Sequence, residues 1–110
     1  VYASLPGVPL AQAPAGKDFT QRYEARFKQP IQQYAPYCYD AVNVMIAAMQ
    51  QAGSADPAKY LPALVKTSHD GVTAKIAFDA KGDLTGGAVT LYQVQQGKWQ
   101  PVLTMGGAAK

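Results

Sequence analysis

Apolar residues recur along this chain first with a helical period and then, beyond residue 70, with an alternating one. The strongest helical segment has apolar residues spaced by three and four, which predicts a helix that begins near Ala35 and stops at Gly53. Pro36 agrees with this start, since proline is accepted in the first turn of a helix. The inward stripe of this helix is predicted to be Cys38, Val42, Met45, Ile46, Met49 and Ala52.

Two shorter helices are predicted on either side of this segment. Asp18 is expected to cap a helix over residues 19–27, and Pro30 prevents its continuation. One face of that helix would carry Phe19, Tyr23 and Phe27. Asp56 and Pro57 are expected to be the N-cap and first residue of a third helix. Its inward residues would be Leu61, Leu64 and Val65.

Strands are predicted at both ends of the sequence. An apolar stretch at 1–5 opens the chain, and two strands at 89–94 and 99–102 are joined by the turn "QQGK". Another strand is expected over 72–78, followed by a polar loop at 79–83. Its inward residues would be Val72, Ala74, Ile76 and Phe78. The order of one strand, three helices and three strands is awkward for a self-contained domain, because so few strands hardly cover three helices.

Composition narrows the class of protein. With 110 residues, 48% apolar and 15% charged, the chain is expected to be an ordinary globular one of single-domain size. It has no apolar run of about 18 residues that would predict a membrane span. The net charge is +3, but the ten basic residues are scattered, which favours a solvated surface over a nucleic-acid site. No initiator Met or signal-peptide pattern opens the chain, which suggests a piece of a longer protein.

The residues offer little catalytic chemistry. Cys38 as a nucleophile with His69 as its base is one alternative, but its place in the apolar stripe favours a small buried hydrophobe, with an intermolecular disulfide as a lesser outcome. One Cys and one His without ligand spacing do not predict a zinc site. Asp79 and Asp83 lie in a glycine-containing loop that lacks the carboxylates of a calcium site, so a turn is favoured. We therefore expect no enzyme, no metal and no cofactor.

Two stretches, "YAPYCYDAVNVMIAAMQQAGSADPAKY" and "DGVTAKIAFDAKGDLTGGAVTLYQVQQGKW", carry a resemblance to a known family. In that order they resemble the C-terminal third of the periplasmic substrate-binding proteins of branched-chain amino-acid (Leu/Ile/Val-type) ABC transporters. The leading "VYASLPGVPL" and "FTQRYEARF" fit the same alignment. Many relatives have "GP" or a similar pair at Ala74 and Lys75, and this lysine is expected to point away from the core.

The resemblance implies an α/β fold, namely a fragment of a type I periplasmic-binding-protein fold with two flavodoxin-like lobes. Residues 1–6 would be the end strand of the second lobe, 7–86 the returning segment of the first lobe, and 87–110 the final strands that cross back to the second. Such a piece is incomplete on its own, and its exposed edges lead us to expect self-association, with strand exchange between chains as one form.

The resemblance also implies a function. The parent would be an extracytoplasmic, periplasmic receptor that binds an aliphatic amino acid and delivers it to the membrane subunits of an ABC permease. The alternative is an amide- or amino-acid-sensing regulatory domain of the same fold without transport.

Ligand contact is expected at the start of the long helix. Tyr34 matches the family position whose aromatic ring packs on the aliphatic part of the ligand, with packing at the helix start as an equal alternative, and Tyr37 is a weaker candidate. For Tyr37 and Tyr39 we favour packing at the helix start, with the hydroxyls at the surface. Asp40 is interpreted as a charge in the first turn that favours the helix dipole.

Overall fold

The computed structural model describes residues 1–107 and contains a three-stranded antiparallel sheet and a group of helices. The sheet has the order β1–β4–β5, formed by β1 (Tyr2–Pro6), β4 (Ala88–Gln95) and β5 (Lys98–Gly106). The helices are α1 (Gly16–Phe27), α2 (Ala35–Ala52) and α3 (Pro57–Val65), preceded by a 3₁₀ turn at Leu10–Gln12. A second, two-stranded sheet joins β2 (His69–Asp70) to β3 (Lys75–Ile76).

The helix boundaries follow local signals closely. Helix α2 starts with Pro36 in its first turn and ends at Gly53, whose φ of 66° is the left-handed conformation that glycine adopts readily. Helix α3 is capped as predicted, because the backbone N–H of Ala58 donates to Oδ1 of Asp56 at 3.1 Å. Both predictions are confirmed.

The predicted cap of α1 is wrong. The helix begins at Gly16, so Asp18 lies within its first turn and makes no capping bond. The preceding residues supply the missing acceptors, since Gly16 N–H donates to Ala13 and Phe19 N–H donates to Ala15. Asp18 instead forms an exposed ion pair with Arg22 at 3.7 Å. The aromatic face was predicted correctly, with consecutive ring centroids of Phe19, Tyr23 and Phe27 at 6.2 and 4.9 Å.

The predicted strand at 72–78 is also wrong. Only Lys75 and Ile76 pair as a strand there, and Phe78 makes a single bridge to Leu84. The backbone N–H groups of Val72 and Thr73 donate to a side chain instead of a neighbouring strand. Side-chain acceptors thus replace the expected ladder of strand hydrogen bonds.

The terminal hairpin and the polar loop agree with prediction. Strands β4 and β5 are joined through Gln96 and Gly97, both with positive φ, as the turn of a two-residue hairpin requires. The loop at 79–83 is a turn in which Oδ1 of Asp79 accepts from the backbone N–H groups of Lys81 and Asp83. Strand β5 is longer than expected and exposed throughout.

The core of the chain is small, and much apolar surface faces outward. The buried hydrophobic residues among those described are Ala13, Phe19, Val44 and Ala48. The accessible surface is 7781 Å², whereas a compact protein of 11.7 kDa exposes about 5,900 Å². The radius of gyration of 15.7 Å also exceeds the value of about 13 Å for a compact domain of this length.

The predicted inward stripe of α2 is only partly correct. Met45, Met49 and Ala52 are half-buried, but Cys38, Val42 and Ile46 are exposed. The most buried positions of this helix are Pro36, Asp40, Val44 and Ala48. Helix α2 is apolar nearly all round, so the side that becomes buried depends on the elements available to cover it.

The inward face predicted for α3 is wrong for two of its three residues. Leu61 and Val65 are each 52% exposed, and only Leu64 is half-buried. The side of α3 that carries Leu61 and Val65 is therefore largely open to solvent.

Candidate functional site

An apolar cleft of about 470 Å³ lies where the start of α2 meets the end of β1. Its walls come from three parts of the chain that are far apart in sequence: the segment from β1 to the 3₁₀ turn, the residues around the start of α2, and single residues of later segments. The residues that line it include Leu5, Pro6, Tyr34, Tyr37, Thr73 and Tyr92. None of the described residues that line the cleft carries a formal charge. Its chemistry therefore suits the uncharged part of a small molecule.

Tyr34 lies at the rim of the cleft, directly before the first residue of α2. Its side chain is 65% exposed, so its ring is open to an incoming molecule. A flat aromatic ring in this position offers a rigid apolar wall with few torsions to restrict on contact. Tyr34 thus lies at an apolar cleft, and its contact with a ligand stays a prediction.

Tyr37 also lines the cleft, one helical turn further on. Its hydroxyl donates a hydrogen bond to the carbonyl oxygen of Pro6 at 3.0 Å. Burial raises the pKa of Tyr37, and the nearby Tyr92 and Asp40 raise it further. The phenol consequently stays protonated and able to donate at neutral pH. This exposed hydrogen bond joins the start of α2 to the end of β1.

Tyr39 points elsewhere and packs as expected. Its ring centroid lies 4.9 Å from that of Phe19 on α1, and the side chain is 43% exposed. Tyr39 is not among the residues that line the cleft. It therefore serves as packing between two helices.

Asp40 is the main residue whose role was predicted wrongly. It lies in the second turn of α2, beyond the reach of a first-turn dipole effect, and is only 2% exposed. Its carboxylate accepts from the backbone N–H groups of Val72 and Thr73, both at 2.9 Å, and from the hydroxyl of Thr73. A buried carboxylate that accepts several hydrogen bonds is strongly held in place.

Gly71 is part of the same arrangement. A Cβ at this position would lie 2.6 Å from Cγ and 2.8 Å from Oδ1 of Asp40, which no side chain tolerates without a shift. Asp40 thus fixes the loop that brings Thr73 to the cleft. The signal in the sequence was an acidic residue inside an apolar helix together with a later glycine turn, but nothing local linked the two.

Tyr92 was also missed. It lies in β4 opposite Ala3 of β1, lines the cleft, and has a pKa raised by burial. The strand predicted over 89–94 indicated that the Tyr92 side chain faces one side of a sheet. Only the pairing of β1 with β4 shows that this side borders the cleft.

The described residues offer little other chemistry. Within residues 1–107 no group of three or more His, Cys, Asp or Glu side chains is arranged to hold a metal ion. Cys38 is exposed, so the expectation that it is a buried hydrophobe is wrong for this chain. None of the helices in the described part of the chain is long and apolar enough to cross a membrane.

Residues 1–98 match the family model described as periplasmic binding protein. The chain therefore belongs to the periplasmic binding protein family, and the predicted resemblance is confirmed. It is 32% identical over 93 residues to the leucine-, isoleucine-, valine-, threonine- and alanine-binding protein of Pseudomonas aeruginosa, covering 84% of this chain and 25% of that protein.

Solved structures show the same relationship. A leucine-binding protein of Thermotoga maritima superposes with a TM-score of 0.80 at 23% identity, over 96% of this chain and 30% of that one. An ABC transporter substrate-binding protein of Desulfitobacterium hafniense in complex with Leu superposes with a TM-score of 0.76 at 26% identity, over 92% of this chain and 30% of that one. A solute-binding protein of R. palustris in complex with benzoate superposes with a TM-score of 0.76 at 19% identity, over 99% of this chain and 31% of that one. This chain thus spans about 30% or less of the length of these relatives and has the fold of one portion of a periplasmic binding protein.

Proposed function

We propose that this chain is part of an extracytoplasmic receptor that binds an aliphatic, branched-chain amino acid and delivers it to an ABC permease. The observation that carries the proposal is the uncharged apolar cleft with the open ring of Tyr34 at its rim. Family membership and the amino acids named for the Pseudomonas and Desulfitobacterium relatives support it.

In this proposal Tyr34 contacts the aliphatic side chain of the ligand. Leucine, isoleucine and valine present apolar surface that an aromatic wall desolvates favourably. The ammonium and carboxylate of the ligand need charged or strongly hydrogen-bonding partners, and none of the described cleft residues is charged. Those partners would come from parts of the receptor outside this chain.

The two parts of the chain would belong to different lobes, with residues 1–6 and 87–110 in the second lobe and 7–86 in the first. The pairing of β1 with β4 supports this division, since it joins the two segments assigned to the second lobe in one sheet. The cleft lies at the boundary between the segments, where a ligand could contact both. Ligand binding would then favour a closed arrangement of the lobes.

The test is isothermal titration calorimetry of the complete receptor with leucine, isoleucine, valine, an amide and benzoate. Micromolar or tighter binding of an aliphatic amino acid is expected. The variant Tyr34→Ala should weaken it about tenfold, which corresponds to ~1.4 kcal/mol. Tyr2→Ala is a matched control, because Tyr2 is 61% exposed but lies outside the cleft.

Two results would contradict the proposal in different ways. Equal affinity of the Tyr34→Ala and wild-type receptors would exclude the ligand contact. Binding of amides or benzoate without any aliphatic amino acid would favour the sensing domain or a receptor for another solute.

The exposed apolar faces would be covered by the rest of the receptor. Cys38, Val42 and Ile46 form an exposed row along α2, and the unpaired edge of β5 is nine residues long. The excess surface of roughly 1,900 Å² over a compact chain is more than twice the ~800 Å² that one partner contributes to a standard protein interface. We propose that the chain on its own self-associates through these surfaces, including pairing of strand edges. Light scattering at high concentration that gives a compact species of 11.7 kDa would refute this.

A further inference from the structure

The described chain has two parts that touch little. The three-stranded sheet consists of 2–6 and 88–106, and the helical part lies between them in sequence. The backbone passes from one part to the other twice, just after Pro6 and just before Ala88. Such a junction can bend unless side chains hold it.

Hydrogen bonds at the first crossing are arranged around Pro6 and Gly7. The N–H of Gly7 donates to Ala88 and its carbonyl accepts from the hydroxyl of Thr90, both at 2.7 Å. These two bonds stay within the sheet and the adjoining crossing. The carbonyl of Pro6 instead accepts from the hydroxyl of Tyr37, which belongs to α2.

The hydrogen bond from Tyr37 connects the helical part of the chain to the sheet. Among the hydrogen bonds recorded for residues 1–107, it is the one that joins a residue of the three helices to the three-stranded sheet. Both of its ends line the cleft. The bond therefore ties the end of β1 to the start of α2 at the cleft.

The surrounding residues are shaped around this contact. Gly7 has a φ of 89°, and a Cβ there would overlap the Tyr37 hydroxyl. The glycine thus serves two needs, a left-handed backbone and space for the phenol. Thr90, which holds the carbonyl of Gly7, is fully buried, so the crossing itself is firmly anchored to β4.

We propose that Tyr37 is a positioning residue for the ligand cleft, because its hydrogen bond to Pro6 holds the two walls at the separation that the ligand needs. The ligand named in the test rests on the function proposed above. Without the bond, the end of β1 samples wider arrangements, and only a fraction of the receptor is competent to bind at any moment. Apparent affinity falls in proportion to that fraction.

The experiment compares Tyr37→Phe with Tyr39→Phe in the complete receptor. Each change removes one hydroxyl from the same helix, but only Tyr37 bonds to the sheet. Stopped-flow binding of leucine should show an association rate lowered about two- to fivefold for Tyr37→Phe, with an unchanged dissociation rate. Tyr39→Phe should match the wild type in both rates. A purely stabilising role would lower the melting temperature without changing the association rate.

A second measurement needs no ligand. Hydrogen–deuterium exchange of the amide of Gly7, which donates to Ala88, should accelerate about two- to fivefold in Tyr37→Phe relative to Tyr39→Phe. Unchanged exchange at this crossing overturns the inference, and so does leucine binding at the wild-type association rate. If the wild-type receptor does not bind leucine, the proposed function fails, while the exchange measurement still decides the role of Tyr37.

Discussion

Removal of the buried carboxylate of Asp40 should detach the loop at 71–74 from helix α2. The variant Asp40→Ala loses the bonds from Val72 N–H, Thr73 N–H and the Thr73 hydroxyl. Hydrogen bonds to a charged acceptor contribute about 1.5–3 kcal/mol each, but the freed N–H groups can partly be hydrated in the space left behind. We therefore expect the free energy of unfolding to fall by about 3 kcal/mol.

The assay is urea denaturation of the complete receptor followed by far-UV circular dichroism, with hydrogen exchange of the loop as a local readout. A loss of ~3 kcal/mol corresponds to exchange at Val72 and Thr73 that is about 100-fold faster. Asp18→Ala is the matched control, since it removes an exposed carboxylate from α1 and should cost less than about 0.5 kcal/mol.

Gly71 provides an independent check of the same reasoning. Gly71→Ala should destabilise by about 1–3 kcal/mol, because its Cβ would press on the Asp40 carboxylate. In the Asp40→Ala background the same change should cost much less, since the obstructing group is gone. Strictly additive effects, or an Asp40→Ala loss no larger than that of Asp18→Ala, would refute the role assigned to Asp40.

Three further predictions address pH, labelling and capping. Because burial raises the pKa of Tyr37 and Tyr92, the folded chain holds these protons more tightly than the unfolded chain. The contribution of these two tyrosines to the free energy of unfolding is therefore fully present below about pH 10 and is lost as the pH rises through their folded-state pKa. Absorbance titration at 295 nm should show both tyrosines ionising at higher pH than free tyrosine. Cys38 should react rapidly with Ellman's reagent in the isolated chain and slowly in the complete receptor; equal rates would show that its face stays uncovered. Asp56→Ala should cost about 1 kcal/mol in urea denaturation through loss of the cap at Ala58, whereas no change would contradict the cap.

Local sequence signals predicted the elements that local physics governs. Pro36 and Gly53 mark the ends of α2, and Asp56 marks the start of α3, because caps and first-turn prolines act within a few residues. The turn at Gln96 and Gly97 likewise depends only on its own backbone angles. The family could be recognised because the tyrosine-rich start of α2, the "AGSADP" break and the "FDAKGDLTGG" stretch occur in a specific order along the chain.

The tertiary structure decided which surfaces meet. Helix α2 is apolar on most sides, so its period could not tell that Val44 and Ala48 would be buried while Val42 and Ile46 stay exposed. That choice depends on what packs against the helix, which its own period does not determine.

The candidate site shows the same division. Tyr34 became a candidate through the family resemblance, but its cleft exists only because β1 pairs with β4 across more than eighty residues. The bonds of Tyr37 to Pro6 and of Asp40 to Thr73 also join segments more than thirty residues apart. Contacts at such separation depend on the path of the whole backbone, which neither local propensity nor periodicity determines.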